Sequence, residues 1–309
     1  MFKKIKQRPK RWTLVLLAVL VAVGTLRYLH WDDRLLFLWQ EHSTSAQQQE
    51  DSIWLPGYRA VIQAKPLEGL AEAQTSGLSW SPLSNTLFTV TGRIPKLVEL
   101  SLTGEILREV ELRGFSDLEG VEVLSDGRIA VIDERRGQMT IFRLSPDTTF
   151  IDGATLDSIS LGHQNAGNKG FEGVAWDARN QRMLLAKERS PFGLFSLPFP
   201  ELDKGDSITP QALLELPSDQ VFMRDFSSLA VDQRSGNVLV LSDESRMLLE
   251  LDAQGNPVSF ISLAMGFNGL TRSIKQAEGV AMDSAGTIYI VSEPNLFYVF
   301  KKHQGSSIN

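Results

Sequence analysis

Five copies of one strand–turn–strand unit, in a chain without cysteine, predict an all-β fold: a five-bladed β-propeller with four-stranded blades, its ring closed by an N-terminal strand. Three observations carry this expectation. The unit recurs on the anchors Gly77, Gly120, Gly173, Ser228 and Gly279, at spacings of 43, 53, 55 and 51 residues. Each copy is followed by further apolar runs of strand length. One strand is missing after the last copy, and one is spare before the first.

The N-terminus stands apart from the repeats. Six positive charges between Lys3 and Arg11 precede Trp12–Leu26, an uncharged and mostly apolar run, and then come Arg27, Tyr28 and Trp31. This order predicts a basic cytoplasmic segment over 1–11 and a transmembrane signal anchor over 12–31, with its N-terminal side in the cytoplasm. The competing reading is a cleaved signal peptide with Ala22, Val23 and Gly24 at the cleavage site. In either case the body is exported. The expected location is the cell inner membrane, single-pass, with the propeller in the periplasm. Residues 32–56 read as a juxtamembrane segment and linker. Trp31–Trp39 is amphipathic and suits a membrane surface, and Ser43–Ser52 is a polar, Gln-rich tether.

The propeller domain is expected over 57–303, with a tail at 304–309. LEGVEVLSDGRIAVIDE, from Leu118 to Glu134, shows the unit most clearly: two alternating strands joined by an Asp-Gly turn. The outer strands are expected at Leu97–Leu102 with Glu105–Leu112, and at Met139–Leu144 with Thr155–Leu161. In the next two units they fall at Leu194–Leu197 with Ala212–Leu216, and at Leu248–Leu251 with Val258–Leu263. The last unit has only Leu296–Phe300. Tyr58–Ala64 is expected to complete that blade, because a closed ring leaves fewer exposed edges. A sixth blade would have to hide in Pro198–Asp225.

Charge excludes one function class. The first 31 residues hold seven of the 31 basic residues and no acidic one, which leaves the body with 24 basic against 37 acidic side chains. A body of that sign repels polyanions, so nucleic acid is not an expected partner. It attracts cations instead. In a propeller the first strand of each blade starts at one mouth of the central channel, and the second strand ends there. Glu119, Glu172 and Glu278 are therefore expected at that mouth, with Ser76 and Ser227 at the equivalent places. Asp133, Glu134, Glu188, Asp243, Glu244 and Glu293 are expected on the same face, further out.

Three carboxylates on one axis repel. At ~6 Å and an effective dielectric of ~20 each pair costs roughly 3 kcal/mol, so protonation, basic partners or a cation must offset it. Oxygen-only ligands on strand ends suit Ca²⁺. Glu119, Glu172 and Glu278 are the expected metal ligands. The competing reading is structural: these glutamates accept backbone N–H groups of the next blade. Arg135, Arg189 and Arg246 follow the second-strand acids, so Glu134, Glu188 and Glu244 are expected as ion-pair partners.

The stretches LEGVEVLSDGRIAVIDERRGQMTIF, KGFEGVAWD, LLAKER, DFSSLAVD and VLSDESRMLLELD resemble the SdiA-regulated domain family, the YjiK-like proteins of Gram-negative bacteria. The resemblance covers roughly residues 55–302. It implies a five-bladed propeller distantly related to NHL-repeat propellers, a calcium site and attachment to the membrane. The Glu-Gly blade openings are similar to those of calcium-dependent lactonase propellers, although Ser76-Gly77 and Ser227-Ser228 depart from that pattern.

Support for catalysis is thin. His163, in the loop Gly162–Gly170, is the one histidine between the first and last repeats, and a solvent-exposed role fits it better than that of a general base. No Gly-x-Ser-x-Gly elbow or phosphate-cradling loop is present. No catalytic residue is assigned. The expected function is a binding module of the cell envelope, presenting a calcium-bearing pocket to a small ligand or an envelope protein. The alternative is a calcium-dependent hydrolase acting on lactones, esters or phosphoesters.

Overall fold

The computed structural model describes residues 9–28, 31–161, 170–188, 193–198, 211–212 and 223–303. Three helices come first: α1 (Pro9–Tyr28), α2 (Trp31–Ser43) and α3 (Ala46–Asp51). β1 (Tyr58–Pro66) follows and is used last. Blade one holds β2 (Thr75–Ser81), β3 (Thr86–Thr91), β4 (Lys96–Leu100) and β5 (Ile106–Arg113). Blade two holds β6 (Leu118–Val123), β7 (Arg128–Asp133) and β8 (Gln138–Arg143). The chain then makes β9 (Phe150–Asp152) before β10 (Ser158–Ser160) completes that blade. Blade three holds β11 (Phe171–Asp177), β12 (Arg182–Lys187), β13 (Gly193–Pro198) and β14 (Gln211–Ala212). Blade four holds β15 (Ser228–Val231), β16 (Val238–Ser242), β17 (Met247–Leu251) and β18 (Pro257–Ser262). Blade five holds β19 (Ala277–Met282), β20 (Ile288–Ser292) and β21 (Leu296–Lys302), with β1 as its outer strand.

The ring closes as the sequence predicts. β1 runs antiparallel to β21, from Tyr58 opposite Lys302 to Pro66 opposite Leu296. The innermost strands touch in a circle, β2 to β6, β11, β15, β19 and back to β2. The core is five clusters, one in each gap between neighbouring blades. Strand alternation divides each blade between its two gaps. On β20, Ile288 and Ile290 face blade four, while Tyr289 and Val291 face blade one. Both faces of a blade are dry, so central strands read as continuous apolar runs such as Val238–Ser242.

Two strands differ from expectation. The fourth strand of blade two is only Ser158–Ser160. Before it, Phe150–Asp152 crosses to blade one and pairs in parallel with β5, Glu111 opposite Phe150 and Arg113 opposite Asp152. The Arg113 guanidinium lies 4.0 Å over the Phe150 ring, a cation–π contact that no apolar period signals. Of Ala212–Leu216, Ala212 is in β14 and the rest lies outside the described residues. Most of Pro198–Asp225 also lies outside them.

The expected transmembrane anchor is not supported. Among the described residues no helix is long and apolar enough to cross a membrane. The uncharged run Trp12–Leu26 has 15 residues, about 22 Å of helix against about 30 Å of hydrocarbon.

The amphipathic α2 lies on the propeller, where a membrane surface was expected. Phe37 is 1% exposed, with its ring 5.8 Å from that of Phe260 on β18. Glu41 accepts the Phe260 N–H at 2.9 Å, and burial pushes its carboxyl up to about 7. The polar tether is ordered too. Ser45 caps α3 through a capping box with Gln48.

The buried Glu250 of β17 then holds the chain down. It accepts the N–H groups of Ile53 at 2.8 Å and Trp54 at 3.1 Å, together with Asn237 Nδ2 at 2.7 Å and Ser259 Oγ at 2.6 Å. This strap covers the outer edge of blade four, an edge otherwise open to pairing. Glu250→Ala leaves buried donors without an acceptor, at about 1–3 kcal/mol for each one stranded. Urea unfolding should show a loss of about 3 kcal/mol or more. A loss under about 0.5 kcal/mol, the size of an ordinary surface substitution, would mean the strap is not held there.

Candidate metal centre at the acidic mouth

The inner strands of blades one, two, three and five begin at one mouth of the channel, with Ser76, Glu119, Glu172 and Glu278 at or beside the first residue of each. Ser227, just before β15, takes the fifth place. A second tier follows the ends of the returning strands: Gly92, Glu134, Glu188, Asp243 and Glu293 directly follow β3, β7, β12, β16 and β20. The antiparallel register brings the tiers together, since Leu118 lies opposite Asp133 and Phe171 opposite Lys187.

Glu119, Glu172 and Glu278 share the mouth: the charges of Glu278 and Glu119 bear on Glu172, and that of Glu119 bears on Glu278. Burial, then the charges of Asp117, Glu134 and Glu293, push Glu119 up to about 8 against the pull of the Ser76 hydroxyl. Burial, then the charges of Glu188, Glu278, Glu119 and Glu134, hold Glu172 well above the carboxylate range. Glu278 is raised in the same way, by burial and then by Glu119, Asp243, Glu293 and Asp225. Among the described residues, Arg135 draws Glu134 down and Arg93 draws Glu293 down.

The tightest groupings differ from the expected triad. One oxygen from each of Asp117, Glu119 and Glu134 lies within 4.8 Å of the others, and so does one from each of Glu134, Glu172 and Glu188. Glu278 belongs to neither group. Glu134 belongs to both. Opposed oxygens around Ca²⁺, at ligand distances of about 2.3–2.6 Å, stand about 5 Å apart, so either trio fits that ion as part of a ligand set.

Glu134 is not a simple ion-pair partner of Arg135. Arg135 bonds Asp117 at 3.0 Å, while Glu134 accepts the Gly170 N–H at 2.8 Å. Asp133 accepts the Ser116 N–H and hydroxyl. Arg189 and the loop residues 162–169, with His163, lie outside the described residues. Asp117 and Asp225 are the acids that sequence reasoning missed. Both stand two residues before an inner position, in SDLEG and RDFSS, and that shared offset was the available signal.

The departures from the Glu-Gly pattern have structural roles. Ser76 Oγ donates to Glu119 Oε2 at 2.6 Å and to the Glu119 carbonyl at 3.0 Å, joining blade one to blade two. Ser227 Oγ donates to the Ala277 carbonyl at 2.8 Å, joining blade four to blade five. Gln74 and Gln276, with φ of 58° and 49°, both donate from Nε2 to Glu293 Oε2 at 3.0 Å. Two left-handed non-glycine residues aimed at one carboxylate are backbone strain concentrated at the mouth.

Fold and site together define a five-bladed β-propeller with a carboxylate-lined channel mouth. The chain belongs to the SdiA-regulated family, whose model matches residues 50–301. Solved structures resemble the chain at low identity and with TM-scores under 0.5. A gluconolactonase from Xanthomonas campestris is 14% identical, covering 78% of this chain and 90% of its own, with a TM-score of 0.47. A streptogramin B lyase is 10% identical, covering 82% and 100%, with a TM-score of 0.44. A chain of a nidogen/laminin complex is 12% identical, covering 76% and 84%, with a TM-score of 0.48. These likenesses concern the fold alone.

The raised carboxyls fix the sign of a pH effect in metal-free protein. Glu119 ionises near 4.5 unfolded and near 8 folded, so between those values the folded chain holds more protons. Stability contributed by the neutral form is present below about pH 4.5 and lost as pH rises through about 8. Glu41 and Glu122 act in the same direction, at about 7 and about 8. In EDTA the melting temperature should fall as pH is raised across this window, and less steeply in Glu119→Gln. A melting temperature that rises over the window would remove the cluster of protonated acids.

Proposed function

We propose that this protein is a calcium-bearing binding module of the cell envelope, with Glu119, Glu172 and Glu278 among the metal ligands and Glu134 bridging two groups of acids. One observation carries the reading: the mouth concentrates half-buried carboxyls whose mutual repulsion a divalent cation would relieve. Oxygen-only donors on rigid strand ends suit a hard ion. A bound cation would leave an electropositive point in an acidic funnel, able to orient a carboxylate, carbonyl or phosphoryl group of a small ligand or an envelope protein. Binding is favoured over hydrolysis because Ser76, the hydroxyl that touches an inner glutamate, is 3% exposed and cannot meet a substrate without rearrangement.

The envelope location belongs to the same proposal. The α1 surface from Trp12 to Leu26 is apolar and open, with Trp12 77%, Leu16 59% and Val21 60% exposed. A surface of that kind needs cover by lipid or protein.

Calcium titration of the full chain tests the site. With a Kd on the order of 10⁻⁴ M, a hundredfold excess of calcium would stabilise the fold by about 2.7 kcal/mol, and the melting temperature should rise by about 5 °C over EDTA. Glu172→Gln should remove most of that rise. An unchanged melting temperature, with no metal retained by elemental analysis, would end the calcium reading. Calcium-dependent turnover of an aryl ester or lactone, abolished in Glu172→Gln, would replace the binding module with the hydrolase.

A further inference from the structure

The inner strands that begin at the acidic mouth end at the opposite one, and there the lining changes character. A cavity of about 650 Å³ opens between the ends of β2, β6, β11, β15 and β19. Sites for small molecules span about 300–1,000 Å³. The wall is apolar over Leu78, Trp80, Val123, Trp176, Val231 and Met282. Its volume has a cause in the sequence. Ala230 and Ala281 hold, in blades four and five, the places that Ser79 and Glu122 hold in blades one and two, and their small side chains leave the space.

The charged groups at this mouth are mostly engaged. Asp283 accepts the N–H groups of Ala285 and Thr287 and the Tyr289 hydroxyl. Asp232 is filled by the Arg234 and Ser235 N–H groups and the Ser235 hydroxyl. Arg234 reaches back to the Ser52 carbonyl at 2.9 Å and toward Asp232 at 3.7 Å.

Glu122 is different. It lines the cavity from the inner strand itself, accepting the Ser79 hydroxyl at 2.8 Å on one oxygen and the Trp176 N–H at 3.0 Å on the other. Burial pushes its carboxyl up to about 8, above what those two bonds can reverse. A carboxyl that stays neutral in an apolar wall offers an O–H to an acceptor.

We propose that this mouth is a second binding site, taking an uncharged molecule with a flat apolar body against Trp80 and Trp176 and a carbonyl-type acceptor meeting the Glu122 carboxyl. Anions are disfavoured by Asp232 and Asp283. The site stands independently of the metal proposal: Glu119 and Glu122 are three residues apart on β6, roughly 10 Å along the strand.

The probe is 6-propionyl-2-dimethylaminonaphthalene, a neutral flat aromatic ketone, titrated into the full chain. Saturable one-to-one binding is expected, with blue-shifted emission and energy transfer from tryptophan. Plugging the cavity with Ala178→Trp, or from the exposed rim with Ser284→Trp, should weaken binding by about tenfold or more, about 1.4 kcal/mol. Raising the pH from about 6 to about 9.5 should weaken it several-fold as Glu122 ionises, and Glu122→Gln should abolish that dependence. The other titratable groups lining the cavity, Asp232, Asp283 and Arg234, remain in that variant, so it isolates Glu122. EDTA should change nothing. Absence of saturable binding, wild-type affinity in both plugged variants, a pH dependence kept in Glu122→Gln, or loss of binding in EDTA would each overturn the proposal.

Discussion

Five strands can meet around one axis only if their backbones nearly touch, and glycine permits the contact. A Cβ on Gly120 would stand 2.5 Å from the Glu172 carbonyl oxygen, and one on Gly279 would stand 2.6 Å from the carbonyl carbon of Gly77. No side chain fits at those distances. Blade four is the exception, where Ser228 accepts the Val280 N–H at 3.2 Å and turns the close approach into a hydrogen bond. The same closeness builds the acidic mouth. Each inner glutamate directly precedes an axial glycine, so narrowing the ring at Gly120, Gly173 and Gly279 also crowds Glu119, Glu172 and Glu278.

That crowding sets the fold against its own electrostatics. Burial and like charge act together on carboxyls at the channel axis. Rigid strand ends cannot splay to relieve the repulsion, because the gaps between blades are filled by buried side chains on both faces. Relief has to come from protons or from a cation. At the opposite mouth the same strands meet the reverse condition. Glu122 sits in an apolar wall with two donors, and there burial alone raises its carboxyl.

The N-terminal strap joins these features to the rest of the chain. Glu250 lies in the interior of blade four and still spends its carboxylate on residues nearly two hundred positions earlier in sequence. Lys302 closes the same corner by donating to the Ile53 carbonyl at 3.1 Å. The two ends of the domain are therefore tied to each other twice, once through the β1–β21 pairing and once through this corner.

The repeat was legible in sequence because its causes are local. An Asp-Gly turn, a two-residue alternation and a glycine at a fixed place announce themselves within one unit, and counting the units gave the blades, the closing strand Tyr58–Ala64 and the inner glutamates. The features read wrongly depend on what lies far away in the chain. Phe150–Asp152 is three residues long and becomes a strand only because β5 offers an edge. Trp31–Trp39 has an apolar face whose partner, Phe260, is more than two hundred residues distant. Asp117 passes unnoticed and Glu134 reads as an arginine's partner until the register of neighbouring blades aims their oxygens at one point. Local period determines which strands form. Only the closed ring decides which side chains share a mouth, because that depends on distances across an axis the sequence does not contain.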